Sequence, residues 1–323
     1  MIVVTGALGF IGSCMISYLQ KYHPEAEIIA VDDFSKIEKA QNLLDKGPLT
    51  KIDRESFFQW FSQNGKQVKV VYHLGARTDT TLQCQSVFEI LNISYSKKVW
   101  DLCVQFEIPL IYASSAATYG AEDRDFSDDH DRIHSLRPLN PYGWSKHHFD
   151  IWALEQEKSP PRWIGLKFFN VYGPNEYHKR RMASVIFHTF LKIKETGRMS
   201  LFRSHRPGIA DGQQSRDFIF VKDVISVCHH FHVADQVSNG IYNLGTGQAR
   251  SFFDLASFTF LAMGLEPQID FIDTPVDIRD SYQYFTQADI RKLRSSGYTA
   301  EFTSLEAGIE TYVTQYLINQ NYY

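Results

Sequence analysis

Residues 2–12 read IVVTGALGFIG, a short apolar run that leads into three glycines at three-residue intervals. Such a run is typical of a buried strand, and Gly6, Gly9 and Gly12 then permit a tight turn into a helix. Glycines at such a turn let the backbone approach a pyrophosphate, and the helix N-terminus supplies N–H groups for that anion. Asp32 lies twenty residues beyond Gly12 at the end of a second apolar run, where a carboxylate accepts hydrogen bonds from a ribose. The stretch therefore predicts a dinucleotide-binding turn.

The first half of the chain alternates short apolar runs with amphipathic stretches that are long enough for crossover helices. Val and Ile dominate these runs with little polar alternation, which is typical of strands buried on both faces of a parallel sheet. This rhythm predicts an α/β fold of the Rossmann type, with a doubly wound parallel sheet and a smaller α/β C-terminal substrate lobe. We expect a dinucleotide-binding domain over residues 1–170 and a substrate-binding lobe over residues 171–323, interleaved with late strands of the sheet. The expected strands are 2–5, 28–31, 68–74, 109–114, 163–169, 217–224 and 240–244, and the expected helices include 11–22, 87–106, 251–263 and 304–318.

Length, charge and cysteine content narrow the class of protein. The chain has 323 residues and a formal net charge of −4, which gives no support for a nucleic-acid partner. Its four cysteines form no CxxC pair, and the histidines within residues 228–232 have no carboxylate partner at a recognisable spacing, so we expect no metal site. No apolar run reaches the ~18 residues that cross a bilayer, and residues 1–6 have no secretory pattern. We expect a soluble, cytoplasmic protein with no membrane partner.

Residues 142–146 read YGWSK, which places Tyr142 and Lys146 one turn apart on the same face of a predicted helix. Hydride transfer from a carbinol needs a base for the hydroxyl proton, and a lysine ammonium stabilises the phenolate of a nearby tyrosine. Ser115 follows the strand predicted at 109–114, and ligands of an open parallel sheet bind at the carboxyl ends of its strands. These residues predict an oxidoreduction site in which Tyr142 is the base and Ser115 holds the substrate hydroxyl.

The residues around Asp32 leave the cofactor preference open. Its carboxylate accepts hydrogen bonds from the adenosine ribose of NAD and repels the 2′-phosphate of NADP, and Asp33 adds to that repulsion. Lys36 and Lys39 follow closely, however, and an ammonium pairs with a 2′-phosphate. This pattern therefore admits both NAD and NADP.

Together these motifs resemble the extended short-chain dehydrogenases that act on nucleotide sugars, and the match spans nearly the whole chain. It is carried by residues 6–12, 73–76, Ser115, Tyr142, Lys146, 169–174, 216–218 and 243–247. Within that group, four stretches resemble the ADP-L-glycero-D-manno-heptose 6-epimerases, namely residues 112–120, 170–179, 182–185 and 285–289. The resemblance implies an isomerase that inverts C6 of an ADP-linked heptose by transient oxidation with tightly held NADP, in the synthesis of a lipopolysaccharide inner-core precursor. It also implies a homo-oligomer, for which the family suggests a pentamer.

The same resemblance implies roles for individual residues. Tyr142 and Lys179 are the two acid–base groups on opposite sides of C6, and Lys146 holds the nicotinamide ribose. From its own context beside two arginines, Lys179 would be a surface charge. The residues implied to contact cofactor are Gly6, Gly9, Phe10, Ile11, Gly12, Asp32, Asp33, Lys39, Arg54, Leu74, Gly75, Ala76, Arg77, Thr78, Asn92, Lys146, Val171 and Lys179. The residues implied to contact substrate are Asn170, Arg181, His188, Phe202, Arg203, Ser204, His205, Arg216 and Tyr282.

Three other functions compete with this interpretation. A sugar 4,6-dehydratase needs an acidic pair beside the catalytic serine, where this chain has Ala116 and Ala117. An NAD-dependent nucleotide-sugar 4-epimerase needs only the single tyrosine and a rotating ketone, so it is the nearest competitor, and Lys179 is the discriminating residue. A non-catalytic dinucleotide-sensing regulator would not need Tyr142 and Lys146, and both are retained.

Overall fold

Twelve strands form three sheets in the computed structural model, which describes residues 1–121, 125–279 and 282–323. The strands are β1 Ile2–Thr5, β2 Ile28–Asp32, β3 Thr50–Asp53, β4 Val70–His73, β5 Leu110–Ser115, β6 Trp163–Phe168, β7 Asn170–Tyr172, β8 Met199–Phe202, β9 Ser215–Phe220, β10 Gly240–Leu244, β11 Ala249–Ser251 and β12 Ile269–Ile272. Seven of them form one sheet in the order β10-β6-β5-β4-β1-β2-β3, with all neighbours parallel. The order β11-β9-β7 makes a second sheet, and β12 pairs with β8 in a third.

Helices connect these strands. The α-helices of the described residues are α1 Phe10–Tyr22, α2 Phe57–Asn64, α3 Gln85–Phe88, α4 Tyr95–Gln105, α5 Pro141–Leu154, α6 Val185–Thr196, α7 Val221–Val233, α8 Phe252–Ala262, α9 Val276–Arg279, α10 Arg291–Ser295 and α11 Leu305–Thr311. Short 3-10 helices lie at Ile37–Leu43, Gly65–Gln67, Ala116–Tyr119, His130–Ser135 and Tyr177–Met182, and π-helical segments lie at Glu89–Ser94 and Tyr312–Leu317.

The seven-stranded sheet separates two hydrophobic cores. In β1, Ile2 and Val4 face one core together with residues of α1 and α7, whereas Val3 faces the other with residues of α2, α4 and α5. Every residue of β1 and of β4 is buried, which accounts for the apolar sequence of both strands up to their polar last residues, Thr5 and His73. The prediction of a doubly wound parallel sheet is confirmed.

The strand order reverses beside β1, and this reversal positions the site. The chain continues from β1 outward through β2 and β3, whereas β4, β5 and β6 lie on the other side of β1. Open α/β sheets bind ligands in the crevice beyond the carboxyl ends of the strands at such a point. β10 completes the sheet beside β6, so residues from the second half of the chain belong to the same layer. The domain boundary at residue 170 stays a prediction.

The strand predicted over residues 217–224 is wrong at its end. β9 ends at Phe220, and Val221 begins α7. Val221, Val224 and Ile225 are buried at helical spacing, so one apolar run serves two elements with different periods. Periodicity does not distinguish the two elements here, because residues 217–221, which cross the boundary between them, are all buried.

Two predicted helices contain a change of helical type. The helix predicted over residues 87–106 includes the π-helical segment Glu89–Ser94, and the helix predicted over 304–318 ends in the segment Tyr312–Leu317. Segments of this kind are frequent at functional sites, and the first one carries Asn92. Within the described ranges, no helix combines the length and the apolar character that a bilayer span requires.

Candidate active site

Backbone packs against backbone at the turn between β1 and α1, where only glycine fits. Gly6 has a φ of +70°, and its carbonyl oxygen accepts a hydrogen bond from the Gly9 N–H at 2.9 Å. A Cβ on Gly12 would lie 2.1 Å from the Gly6 carbonyl oxygen, and one on Gly6 would lie 2.6 Å from Gly75 Cα. Gly9 is the N-cap residue of α1 and makes no side-chain hydrogen bond. The N–H groups of the first helical turn are therefore available to an anion.

Two carboxylates lie at the end of β2, and each has a cation beside it. Asp32 accepts hydrogen bonds from the main-chain N–H groups of Leu8 at 2.9 Å and of Asp33 at 2.8 Å. The Lys39 amine lies 3.8 Å from Asp32 Oδ1, and the Arg54 guanidinium lies 3.5 Å from Asp33 Oδ2. The tertiary structure therefore brings four of the predicted cofactor residues into one charged group beside the glycine turn.

Asn92 braces the loop that follows β4. Its amide oxygen accepts from the Arg77 N–H at 2.8 Å, and its amide nitrogen donates to the Arg77 carbonyl at 3.0 Å. The same nitrogen donates to the Ser145 hydroxyl on α5 at 2.9 Å. Asn92 is buried, so in this structure it holds residues 74–78 against α5. Its predicted contact with cofactor stays a prediction.

The sequence before Tyr142 sets where α5 begins. Asn140 is the N-cap, its side-chain oxygen accepts from the Gly143 N–H at 2.8 Å, and Pro141 occupies the first turn. Tyr142 is thus in the first turn, and Lys146 follows one turn later on the same face. Gly143 is required because a Cβ there would lie 2.8 Å from the Ala117 carbonyl oxygen, in the segment that follows β5.

Ser115, Tyr142 and Lys146 meet at the carboxyl end of β5. Burial raises the pKa of the Tyr142 phenol, and a hydrogen bond with the Ser115 side chain lowers it. The Lys146 amine donates to the Ala113 carbonyl oxygen at 2.8 Å and is almost completely buried. Burial lowers the pKa of Lys146 to about 8, although the negative charge of Asp150 acts in the opposite direction. The three residues predicted from separate motifs are therefore brought together.

A buried ion pair beneath these residues was missed by the sequence analysis. The Lys167 amine lies 3.1 Å from Asp150 Oδ2, and both side chains are buried. The Asp150 carboxylate also accepts from the Ser114 hydroxyl at 2.6 Å and from the Tyr112 hydroxyl at 3.1 Å. Lys167 donates further to the Thr118 hydroxyl at 2.6 Å. The available signal was the position of Asp150, one turn beyond the lysine of YGWSK on α5, but its partner lies on strand β6.

Lys179 lies in the 3-10 turn Tyr177–Met182 and is half-buried. Its amine lies 5.3 Å from the ring centroid of Phe10, the first residue of α1, so it faces the glycine turn. Burial lowers the pKa of the Lys179 amine, and the negative charge of Glu176 opposes that effect. Local context alone favoured a surface charge, and the structure contradicts it.

Three predicted substrate residues from distant parts of the chain lie together. The rings of Phe202 and Tyr282 have centroids 5.8 Å apart, and the Arg216 guanidinium lies 5.7 Å from the Tyr282 ring. Arg216 also donates to the carbonyl oxygens of Ser215, at 2.9 Å, and of Gln283. β8 and β9 supply two of these side chains, and the segment after residue 281 supplies the third.

The turn after β8 contains the other three members of the predicted group 202–205. The Arg203 guanidinium lies 3.9 Å from an oxygen of Asp211. The Ser204 N–H donates to the same carboxylate at 2.8 Å, and the His205 N–H donates to the Tyr284 hydroxyl at 2.8 Å. These contacts order the turn that follows β8.

The remaining predicted residues are placed less centrally. Arg181 is exposed and donates to Asp79 at 3.1 Å, and the Arg77 guanidinium lies 3.6 Å from the same carboxylate. Asn170 is exposed at the start of β7, and His188 is exposed on α6. Of the other cofactor residues, Ile11 lies on α1, Val171 on β7, and Leu74, Gly75, Ala76 and Thr78 in the loop after β4.

Comparison with known proteins gives consistent matches. The model of the NAD dependent epimerase/dehydratase family matches residues 2–245. An ADP-L-glycero-D-manno-heptose-6-epimerase from Fusobacterium nucleatum is 42% identical, with 100% of both chains covered, and one from Nitratidesulfovibrio vulgaris is 43% identical, with 98% of both covered. The crystal structure of the Helicobacter pylori ADP-L-glycero-D-manno-heptose-6-epimerase has a TM-score of 0.81 and 27% identity, covering 97% of this chain and 95% of that one.

Proposed function

This chain belongs to the NAD dependent epimerase/dehydratase family, and from that premise we propose that it interconverts ADP-D-glycero-D-manno-heptose and ADP-L-glycero-D-manno-heptose by inverting C6. Such an isomerase supplies a precursor of the lipopolysaccharide inner core. The observation that carries the proposal is the half-buried Lys179 amine beside Phe10, because it adds a second acid–base group to Tyr142. In the proposed inversion the C6 oxygen lies on opposite sides of the site in the two half-reactions, so a second group serves it in the second position, whereas a 4-epimerase returns its oxygen to the same tyrosine.

The residues at the strand reversal fit a nicotinamide dinucleotide, the cofactor class of the family. The glycine turn lets a pyrophosphate approach backbone N–H groups, and Asp32 ends β2 where an adenosine ribose binds in this fold. A bound nicotinamide would supply the acceptor for the hydride of C6 and the donor for its return. Lys146 donates to Ala113 and has two further N–H donors on its ammonium for the ribose hydroxyls.

The chain's own residues move the protons in this proposal. Ser115 orients the C6 hydroxyl, and Tyr142 removes its proton, with the Lys146 ammonium stabilising the phenolate. The C6 carbonyl then turns within the site, and Lys179 gives a proton to the oxygen as hydride returns. The forward reaction leaves Tyr142 as a phenol and Lys179 as a neutral amine, so in the reverse direction Lys179 removes the proton and Tyr142 returns one.

We further propose NADP rather than NAD. Asp32 and Asp33 would repel a 2′-phosphate, but the cations of Lys39 and Arg54 lie 3.8 Å and 3.5 Å from them. These two cations are available to pair with a 2′-phosphate, Arg54 through parallel N–H donors. The nucleotide released by heat from the purified protein identifies the cofactor by mass. NAD alone in that extract would overturn this choice.

The test of the reaction is conversion of ADP-D-glycero-β-D-manno-heptose by purified protein with no cofactor added, with C6 configuration followed by NMR. We expect the L-glycero epimer, and we expect Tyr142→Phe and Lys179→Met each to lower the rate by at least about 100-fold. Tyr22→Phe and Lys192→Met are matched controls on exposed helical positions and should keep the rate. No conversion, even with NADP or NAD supplied, together with epimerisation of a UDP-hexose at C4, would overturn the heptose assignment.

We also propose that the chain assembles as a homo-oligomer, as its resemblance to the heptose epimerases implies. Leu261 on α8 is 56% exposed and Leu265 after it is 44% exposed, and apolar surface of this kind is commonly covered by another copy. Sedimentation of the purified protein tests the assembly. A monomer would overturn it, and a pentamer is the expected species.

A further inference from the structure

Glu176 is a fully buried carboxylate three residues before Lys179. It accepts hydrogen bonds from the Ser184 N–H at 2.5 Å, the Ser184 hydroxyl at 2.6 Å and the Gly173 N–H at 3.4 Å. Its own carbonyl oxygen accepts from the Lys179 N–H at 2.9 Å. The residue therefore ties the end of β7, the turn that carries Lys179 and the start of α6 into one unit.

The charge of Glu176 has a single cationic partner among the described groups that act on it. Burial raises the pKa of this carboxyl, and the Lys179 charge and the Ser184 hydrogen bonds lower it. Reciprocally, burial lowers the pKa of Lys179, and the Glu176 charge raises it. A buried charge without a partner is costly, so each of these groups stabilises the ionised form of the other.

The phenol, thiol and imidazole groups that interact with this pair are neutral near pH 7, and the charged groups around them are Lys46 and Lys222 near Cys14 and Lys39 and Glu38 near His178. Burial raises the pKa of the phenols of Tyr177 and Tyr312, and raises that of the Cys14 thiol to about 12. On the side of Lys179, burial and the nearby lysine charges lower the pKa of His178 to about 4. Lys39 lies on this side as a further cation and acts on His178.

Capping α6 does not by itself require a charge at position 176. Ser184 is the N-cap, and its hydroxyl accepts from the Phe187 N–H at 3.2 Å. A neutral amide at position 176 could also accept from the Ser184 N–H and donate to its hydroxyl. The feature that only a carboxylate supplies is a buried negative charge in the turn that carries Lys179.

We infer that Glu176 is the positioning residue of Lys179: its fully buried carboxylate, bonded to Ser184 and Gly173, holds the turn in place and sets a negative charge in the turn that bears the amine. The inference rests on the proposed function, in which Lys179 exchanges a proton with the substrate oxygen. Glu176 itself touches neither substrate nor cofactor in this account and acts only through Lys179.

The experiment measures the titration of Lys179 directly and the pH profile of epimerisation separately. In protein labelled with ¹³C at lysine Cε, Lys179→Met identifies the resonance of Lys179. Glu176→Gln should move the titration of that resonance, and the Lys179 limb of the rate profile, to lower pH by about one unit, since it removes an opposite charge that is buried in the same turn. Glu176→Asp keeps the negative charge, so its Lys179 titration should stay close to that of the parent protein.

Ser184→Ala is the matched control, because it weakens the same packing and leaves the carboxylate. It should lower stability while leaving the Lys179 titration in place. An unmoved Lys179 titration in Glu176→Gln would overturn the inference. If that variant does not fold, Glu176→Ala and Glu176→Asp replace it. The inference then requires that the Lys179 titration moves in Glu176→Ala and stays in place in Glu176→Asp. A titration that moves in a protein unable to epimerise the heptose would sustain the coupling and overturn the proposed function.

Discussion

Replacing Lys146 by methionine should stabilise the nucleotide-free protein near pH 7. The amine is 5% exposed, and burial lowers its pKa from the ordinary 10.5 to about 8. At about 1.4 kcal/mol per pH unit, this difference corresponds to about 3 kcal/mol of unfolding free energy lost by keeping an ammonium there. Methionine fills a similar volume without a charge. It also forfeits the 2.8 Å bond to Ala113, worth about 1 kcal/mol, so we expect a net gain of about 2 kcal/mol.

The sign of the pH dependence follows from the lowered pKa of Lys146. Between about pH 8 and 10.5 the unfolded chain binds the proton that the folded chain has released, so stability of the parent protein rises with pH there. The advantage of Lys146→Met should therefore be full below about pH 8 and fall to near zero by about pH 9.5. The protein thus gives up stability for a cation that the reaction uses.

Urea unfolding of nucleotide-free protein, followed by tryptophan fluorescence at several pH values, measures this advantage. Lys192→Met, at an exposed position of α6, is the matched control and should change stability by less than about 0.5 kcal/mol. A Lys146→Met protein that is less stable than its parent near pH 7 would refute the reasoning. A gain of equal size at about pH 7 and pH 9.5 would also refute it, because the gain should follow the titration of the Lys146 amine.

Three further predictions concern the backbone and the buried charges. Arg180 has φ 50° and ψ −127°, a backbone conformation that is strained for any residue with a side chain. Arg180→Gly should therefore raise the free energy of unfolding in urea by about 1 kcal/mol. A lower free energy of unfolding in this variant would contradict the strain. Gly12→Ala would put a Cβ 2.1 Å from a carbonyl oxygen of the turn, so the nucleotide carried through purification should fall at least about tenfold; unchanged absorbance of bound nucleotide would contradict this. Asp150→Asn leaves Lys167 buried without its counter-charge and should lower the free energy of unfolding by about 3–5 kcal/mol. The double variant with Lys167→Met should recover more than half of that loss. Additive losses in the double-mutant cycle would show that the two side chains are not coupled.

Sequence alone was sufficient wherever a function is encoded in neighbouring residues. The glycine turn at residues 6–12 and the YGWSK motif are local patterns, because a turn and one helical turn each involve fewer than about ten residues. The buried strands could be predicted because a strand covered on both faces must be apolar throughout. The chain order of these motifs then favoured one fold, in which Ser115 and Tyr142 lie at the same edge of the sheet.

Only the tertiary structure decided which distant residues share an environment. Lys179 carries the sequence context of a surface charge, yet the turn that bears it packs against α1 and half-buries its amine. Asp150 on helix α5 pairs with Lys167 on strand β6, and Phe202, Arg216 and Tyr282 converge from separate segments. Burial and electrostatic partners depend on contacts between residues far apart in the chain, and no local pattern of spacing contains them. The motifs of the site could therefore be predicted from the sequence, whereas the charges that shift the pKa values of its residues were determined by packing.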